Sequence, residues 1–378
     1  MINKKLKILY VDFAIPYLLR DSDTVSGGAA AEWLAWIGGI KKTGNEIGVL
    51  TWKGAKKFID KELDFDIVES YYIDQGIPIL KFLYIRFPKF VIAIKKYNPD
   101  VVIQMVAGRF TFLGAIISKM LGKTFIYRIA SDLDVDKRIN KKLNKREKVL
   151  YKVGLKNTDI FICQNDYQYK ALKEKFPQKT NVILYPPFAL KKNLNIVEKN
   201  NRSYIAWMGN FRYQKNVAAL IPIAKSLPDI NFKITGKAHN DIDKVSLDAL
   251  EELKILKNVQ LIGYIKTSDI LPFLSNAIAL LNTSYIEGFP LTFLEACSVG
   301  TPIISTQNVN PNNFITKHQL GIVAESYEEL PQAVKKLTDY TTDEDMQLRI
   351  RCRDYVEKYH NPEILARKLI EIIQNNMK

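Results

Sequence analysis

Tyr285-Ile286-Glu287-Gly288-Phe289-Pro290-Leu291-Thr292-Phe293-Leu294-Glu295-Ala296 carries the densest chemistry in the chain. The apolar run before it ends near Asn282, so a strand is predicted to stop there and a loop to carry Glu287 and Gly288. A helix is predicted to start at about Pro290, because a fixed φ and a missing N–H suit the first helical position. The amides of Leu291 and Thr292 then point out of the helix end, where unpaired N–H groups and the helix dipole attract phosphate. Gly288 lets a ligand approach the backbone closely. Glu295 falls about one turn into the helix, placed to accept hydrogen bonds from a diol. Glu287 sits in the loop, ahead of the phosphate site.

Upstream and downstream, apolar runs alternate with helical patterns. Strands are predicted at 204–208, 231–235, 259–262, 277–282 and 302–305, with helices between them. The first half repeats the scheme, with strands at 6–11, 46–51, 100–105, 124–128, 159–163 and 182–185. Its helices are predicted at 29–42, 79–97, 112–121, 136–156 and 165–176, and helices at 327–338 and 363–375 close the chain. Pro186-Pro187 and the polar residues after them mark a linker. The expected architecture is α/β: two doubly wound Rossmann-like domains facing each other across a cleft. The first, expected on the acceptor side, covers 1–187, the linker 188–200, and the second, expected to bind the nucleotide-linked ligand, 201–360. The C-terminal helix, about 361–378, is expected to pack back near the first domain.

Composition excludes several classes. Hydrophobic residues make up 47% and charged residues 25%, so a normal core is available and disorder is not expected. No charge-free run is long enough to span a membrane, and the N-terminus lacks a signal-peptide core, so a cytoplasmic chain is expected. Cys163, Cys297 and Cys352 form no disulfide framework or metal pattern, and His239, His318 and His360 form no ligand pair. No metal site is expected. The net charge is +15. Residues 1–200 hold 35 Lys+Arg against 20 Asp+Glu, and the rest hold 20 of each, so the whole excess lies in the first half. That half is expected to face something anionic.

The frame E-G-F-P-x-x-x-x-E-A, two glutamates with seven residues between them, resembles the signature of retaining glycosyltransferases of family 4, which have the GT-B fold. Gly300-Thr301-Pro302-Ile303-Ile304 is similar to that family's strand after the helix. Ser26-Gly27-Gly28-Ala29 resembles its N-terminal glycine loop, and Asn98-Pro99-Asp100-Val101-Val102 its P-D-V-V strand. The resemblance implies that Glu295 binds the ribose hydroxyls of a sugar nucleotide. It implies that Glu287 binds hydroxyls of the donor sugar beneath its reacting carbon. The amides from Gly288 and Phe289 through Pro290, Leu291 and Thr292 would hold sugar and diphosphate, and Gly27 and Gly28 would approach the donor from the first domain.

Trp207-Met208-Gly209-Asn210-Phe211-Arg212-Tyr213-Gln214-Lys215 places cations after a glycine turn, a phosphate-binding pattern. Lys215 matches the family's lysine; the family's arginine position is Asn210 here, and Arg212 is the substitute expected to supply the charge. Tyr264 sits where the family contacts the base, and a core tyrosine is the alternative. Where the family often has histidine-aspartate, this chain has Ser131-Asp132, which makes Asp132 the candidate catalytic polar group beside Glu287 and Lys215. Asp132-Leu133-Asp134 also spells a metal-binding D-x-D, read here as coincidence.

The implied activity is transfer of a sugar, with retention, from a UDP- or GDP-linked donor to a glycan or lipid-linked acceptor of the bacterial envelope, with no cofactor and no metal. Two basic stretches, 80–96 and 136–156, suit a peripheral, anionic membrane surface; the second holds nine cations, including Lys141, Lys145, Lys148 and Lys152. Phe82, Tyr84, Phe87 and Phe90 are candidates for shallow insertion. The alternatives are a GT-B epimerase or phosphorylase, or a basic nucleic-acid-binding protein. Paired glutamates and the lack of a nucleic-acid module count against the last.

Overall fold

The computed structural model describes residues 5–20, 28–60, 62–77, 81–191, 195–238 and 242–377, without the side chains of 28–31, 141 and 142. The chain divides into two compact units, Met1–Ala189 with Asn361–Lys378, and Leu190–His360.

The first unit holds β1 (Lys7–Val11), β2 (Glu46–Thr51), β3 (Asp66–Glu69), β4 (Val101–Met105), β5 (Thr124–Arg128), β6 (Ile160–Cys163) and β7 (Thr180–Ile183). They form one parallel sheet in the order β3-β2-β1-β4-β5-β6-β7. Its central strands β1, β4, β5 and β6 are mostly apolar and buried because both faces are covered. Ile8 and Tyr10 of β1 enter one core, Leu9 and Val11 the other. The first core is closed by the helices Gly28–Lys42 and Pro362–Asn376, which supply Trp33, Trp36, Leu365, Leu369 and Ile373. A Cβ at Gly39 would lie 2.2 Å from the carbonyl oxygen of Pro362, so these two backbones approach at a distance only glycine permits.

The second unit holds β8 (Tyr204–Met208), β9 (Phe232–Thr235), β10 (Val259–Gly263), β11 (Ala277–Leu281), β12 (Ile303–Thr306) and β13 (Gly321–Ala324). Its sheet, also parallel, runs β10-β9-β8-β11-β12-β13. The chain winds outward from β8 in one direction and from β11 in the other. The carboxyl ends of β8 and β11 therefore flank the topological switch point, where open α/β sheets bind ligands.

Several expectations need correction. The basic helix expected over 136–156 is broken: a helix Ile139–Lys142 stops at Leu143, whose backbone is extended, and a new one spans Lys145–Asn157. Asn144 starts it, its side chain accepting the N–H of Glu147. The edge strands β3 and β13 are each four residues long and were not expected, and β7 lies two residues earlier than the 182–185 run. The helix Thr342–Tyr359 was also unforeseen. It opens with a capping box between Thr341 and Glu344 and buries Leu348, Cys352 and Val356 along one stripe. That stripe is interrupted by buried Asp345 and Arg349, which pair with each other at 2.8 Å while Arg202 joins Asp345 at 2.7 Å. Of the four aromatics offered for membrane insertion, Phe90 is buried and Phe82 and Phe87 pack against the second core; only Tyr84 is exposed, with Leu83 and Ile92 beside it.

Candidate active site

Two loops build the site. After β8 the chain turns at Gly209, whose N–H donates to the Thr235 carbonyl at 3.1 Å. A Cβ on Gly236 would lie 1.9 Å from the Gly209 oxygen, so the ends of β8 and β9 touch through backbone alone. A short 3-10 turn, Tyr213–Lys215, follows, and Asn216 closes it in the left-handed region at φ 48°. Asparagine tolerates that conformation better than most residues.

The second loop leaves β11 through Asn282, Thr283 and Ser284, all buried. Three hydrogen bonds to backbone carbonyls join the loops. Thr283 Oγ1 donates to the Lys215 carbonyl at 3.1 Å, the Tyr285 N–H to the Gln214 carbonyl at 2.9 Å, and Gln214 Nε2 to the Ile286 carbonyl at 2.7 Å. Trp207 Nε1 donates to Thr283 Oγ1 at 2.9 Å, fixing that hydroxyl from the strand side.

This lattice brings Lys215 to Glu287. Nζ lies 2.5 Å from Oε1, and Ser284 Oγ donates to the same oxygen at 2.9 Å. Both side chains are largely shielded from solvent, which makes the pair stronger than an exposed one. Oε2 of Glu287 has no hydrogen-bond partner among the described residues. An ammonium with protons to spare thus stands beside a carboxylate oxygen able to accept a hydroxyl.

The helix after the loop is Leu291–Ser298, one residue later than expected. Pro290 is its N-cap, with extended ψ of 121°, and not its first residue. The N–H of Phe293 is taken by the Pro290 carbonyl at 3.1 Å, while those of Leu291 and Thr292 precede the first helical bond. Gly288 and Phe289 are buried, and the Phe289 ring packs at 5.0 Å on Phe314 and 5.2 Å on His360. That ring is core and does not line an open surface.

Glu295 is half-buried and its carboxylate has no partner among the described residues. Burial pushes its pKa up to about 7. The folded state therefore holds the proton more tightly than an unfolded chain, where the group titrates near 4.5. The folded state binds more protons between these values, so stability falls as pH rises from about 4.5 to about 7 and stays at the lower level above. Glu295→Gln is expected to raise Tm at pH 8, by about 2–4 °C for each kcal/mol of relieved burial cost, and to leave it unchanged at pH 4. Thermal unfolding of both proteins at the two pH values checks this; equal Tm at pH 8 would show that the carboxylate carries no such penalty.

Arg212 is exposed and has no side-chain partner among the described residues. Tyr264 follows Gly263, whose φ is +77°, and is 43% exposed, so the core alternative does not hold for it. Asp132 belongs to the first unit. Its Oδ1 accepts from Asn165 at 2.9 Å and Gln168 at 2.8 Å, and burial raises its pKa, with those two donors pulling the other way. Asp134 is buried, its Oδ2 accepting the Ser131 N–H at 3.2 Å in a capping box. The D-x-D carboxylates are thus taken up by local bonding. Gly27 lies outside the described residues, and Gly28 opens the helix Gly28–Lys42. Among the described residues, no group of three or more His, Cys, Asp or Glu could hold a metal ion. No helix among them is long and apolar enough to cross a membrane.

Sequence reasoning missed Thr283, Ser284 and Gln214. The one local signal was the polar run Asn282-Thr283-Ser284 directly after an apolar strand.

The crystal structure of Anabaena Alr3699/HepE in complex with UDP and glucose matches this chain with a TM-score of 0.76 at 13% identity, covering 98% of this chain and 100% of that one. The fold is GT-B. Within it, residues 190–359 match the model of the family described as glycosyl transferases group 1, a stretch that coincides with the second GT-B unit. A poly(glycerol-phosphate) alpha-glucosyltransferase of Bacillus subtilis (strain 168) is 31% identical over 124 residues, 32% of this chain and 18% of that protein. A GDP-Man:Man(3)GlcNAc(2)-PP-Dol alpha-1,2-mannosyltransferase of Homo sapiens is 23% identical over 205 residues, 49% of this chain and 42% of that protein. The chain therefore spans less than half the length of these curated relatives. Lys215, Glu287 and Glu295 all lie in the matched stretch.

Proposed function

We propose that this GT-B protein is a retaining glycosyltransferase that uses a nucleoside-diphosphate sugar, UDP- or GDP-linked. The observation that carries the reading is the Lys215–Glu287 pair at the switch point, beside the open helix end at Leu291 and Thr292. Lys215, the helix amides and Arg212 neutralise the diphosphate as it departs. Glu287 Oε2 and the nearby backbone hold hydroxyls of the donor sugar, Glu295 accepts the ribose hydroxyls and Tyr264 lies against the base. Gly27, Gly28 and Asp132 are the remaining donor-contact residues of this reading.

The acceptor oxygen attacks the anomeric carbon from the face on which the carbon–oxygen bond to diphosphate breaks. The acceptor proton passes to the departing diphosphate oxygen, so no protein nucleophile is required. The protein's part is to hold two substrates in register and to offset developing charge. Calorimetry with UDP-, GDP- and ADP-sugars tests the reading: saturable binding of one class is expected, and binding of none overturns it. Incubating the bound donor without acceptor separates transfer from epimerisation, and incubating a glycan with inorganic phosphate, where release of a sugar 1-phosphate is the signal, separates it from phosphorolysis.

The acceptor in this reading is an envelope polysaccharide or a lipid-linked sugar at an anionic membrane surface. Its support is the +15 excess confined to residues 1–200, and exposed Leu83, Tyr84 and Ile92 among Lys89, Lys95 and Lys96. A cation near such a surface contributes about 1 kcal/mol. Co-sedimentation with anionic vesicles at low salt is expected, and its loss with neutral lipid or high salt. Changing Lys141, Lys145, Lys148 and Lys152 together to glutamine is expected to reduce it. Protein left in the supernatant with anionic vesicles at low salt removes the membrane from the reading and leaves the transferase standing.

A further inference from the structure

Three tyrosines gather at the rim of the two loops. Tyr213 lies two residues before Lys215 and Tyr285 two before Glu287; Tyr327 follows β13. The Tyr213 and Tyr285 rings are 5.1 Å apart, and Tyr327 meets Tyr285 edge-on at 6.0 Å and 84°. Single exposed aromatics are ordinary on a protein surface, but rings in mutual contact make a patch. Tyr213 is 59% exposed and Tyr285 39%, so two large ring faces stay open to solvent.

The patch is held in place by the site's own bonds. The backbone N–H of Tyr285 is fixed to Gln214, and the Tyr327 hydroxyl donates at 3.3 Å to the carbonyl of Ser284, the residue whose side chain holds Glu287. We propose that Tyr213, Tyr285 and Tyr327 form a stacking platform that receives a pyranose ring of the acceptor glycan beside the Lys215–Glu287 pair.

The chemistry selects a neutral sugar. An aromatic face is electron-rich, and the ring C–H groups on one face of a pyranose carry the matching partial positive charge. The phenol hydroxyls at the platform's edge suit the sugar's equatorial hydroxyls. A lipid chain would meet three polar phenols here. The assignment to the acceptor rests on the transferase reading, whereas the platform's capacity to bind a sugar does not.

The test uses the full chain with free maltotetraose and cellotetraose as probes and saturation-transfer difference NMR as the readout. Enhanced ring-face protons of at least one probe are expected with the wild-type protein. The Tyr213→Ala/Tyr285→Ala double variant is expected to weaken binding about tenfold. Tyr213→Phe/Tyr285→Phe is expected to retain it, because the ring and not the hydroxyl carries the stacking. If the double alanine variant does not fold, Tyr213→Ala alone gives the same comparison at the more exposed ring. No enhancement with either probe, or full binding without the rings, overturns the platform. UDP calorimetry on the wild-type protein keeps the two readings apart: oligosaccharide binding through the tyrosines without nucleotide binding would leave the platform and remove the transferase.

Discussion

Glu287→Ala is expected to lower turnover about 100-fold while the protein stays folded. A charge-assisted hydrogen bond to a substrate hydroxyl is worth about 1.5–3 kcal/mol, which accounts for most of that factor. The remainder comes from Lys215, whose ammonium is held 2.5 Å from Glu287 and loses its orientation when the carboxylate goes. Glu287→Gln keeps the shape and the capacity to accept a hydrogen bond but not the charge, and should fall between alanine and wild type. Initial rates with the donor identified by calorimetry provide the measurement. Wild-type turnover in the alanine variant would remove Glu287 from the chemistry.

Lys215→Ala is expected to weaken UDP or GDP binding about 10–100-fold, a larger loss than Arg212→Ala produces. Lys215 is anchored through its backbone to Thr283 and through Nζ to Glu287, whereas Arg212 is exposed and must be ordered by the ligand itself. Because Lys215 and Glu287 touch, their losses should not add: the double alanine variant should be closer to the worse single variant than to the product of the two. Nucleotide affinity by calorimetry decides the order. A greater loss at Arg212 would show that the diphosphate contact has moved to it, in step with asparagine at position 210.

Much of this was legible in advance where local chemistry sets local structure. Central strands such as Val101–Met105 are buried along their whole length and apolar except at Gln104, because both faces are covered. The four-residue edge strands DIVE and GIVA carry too little such pattern to be seen. Thr342–Tyr359 was hidden because its inner stripe includes Asp345 and Arg349, which are tolerated inside only by pairing with each other and with Arg202. The break before Lys145 was signalled by Asn144, but the run of lysines around it masked the cap. In the site, Glu287 and Glu295 share one short frame and could be read together. The pairing of Lys215 with Glu287 spans 72 residues, and it follows only from β8 and β11 being neighbours in the sheet.

The return of Asn361–Lys378 to the first unit gives the chain two covalent crossings, at Ala189–Leu190 and at His360–Asn361. A protease nick at either one leaves the second unit tethered through the other, so a single cut yields a clipped but undivided molecule. Only cutting both removes every covalent link between the units, leaving the second as one continuous piece and the first as two fragments packed through Gly28–Lys42 and Pro362–Asn376.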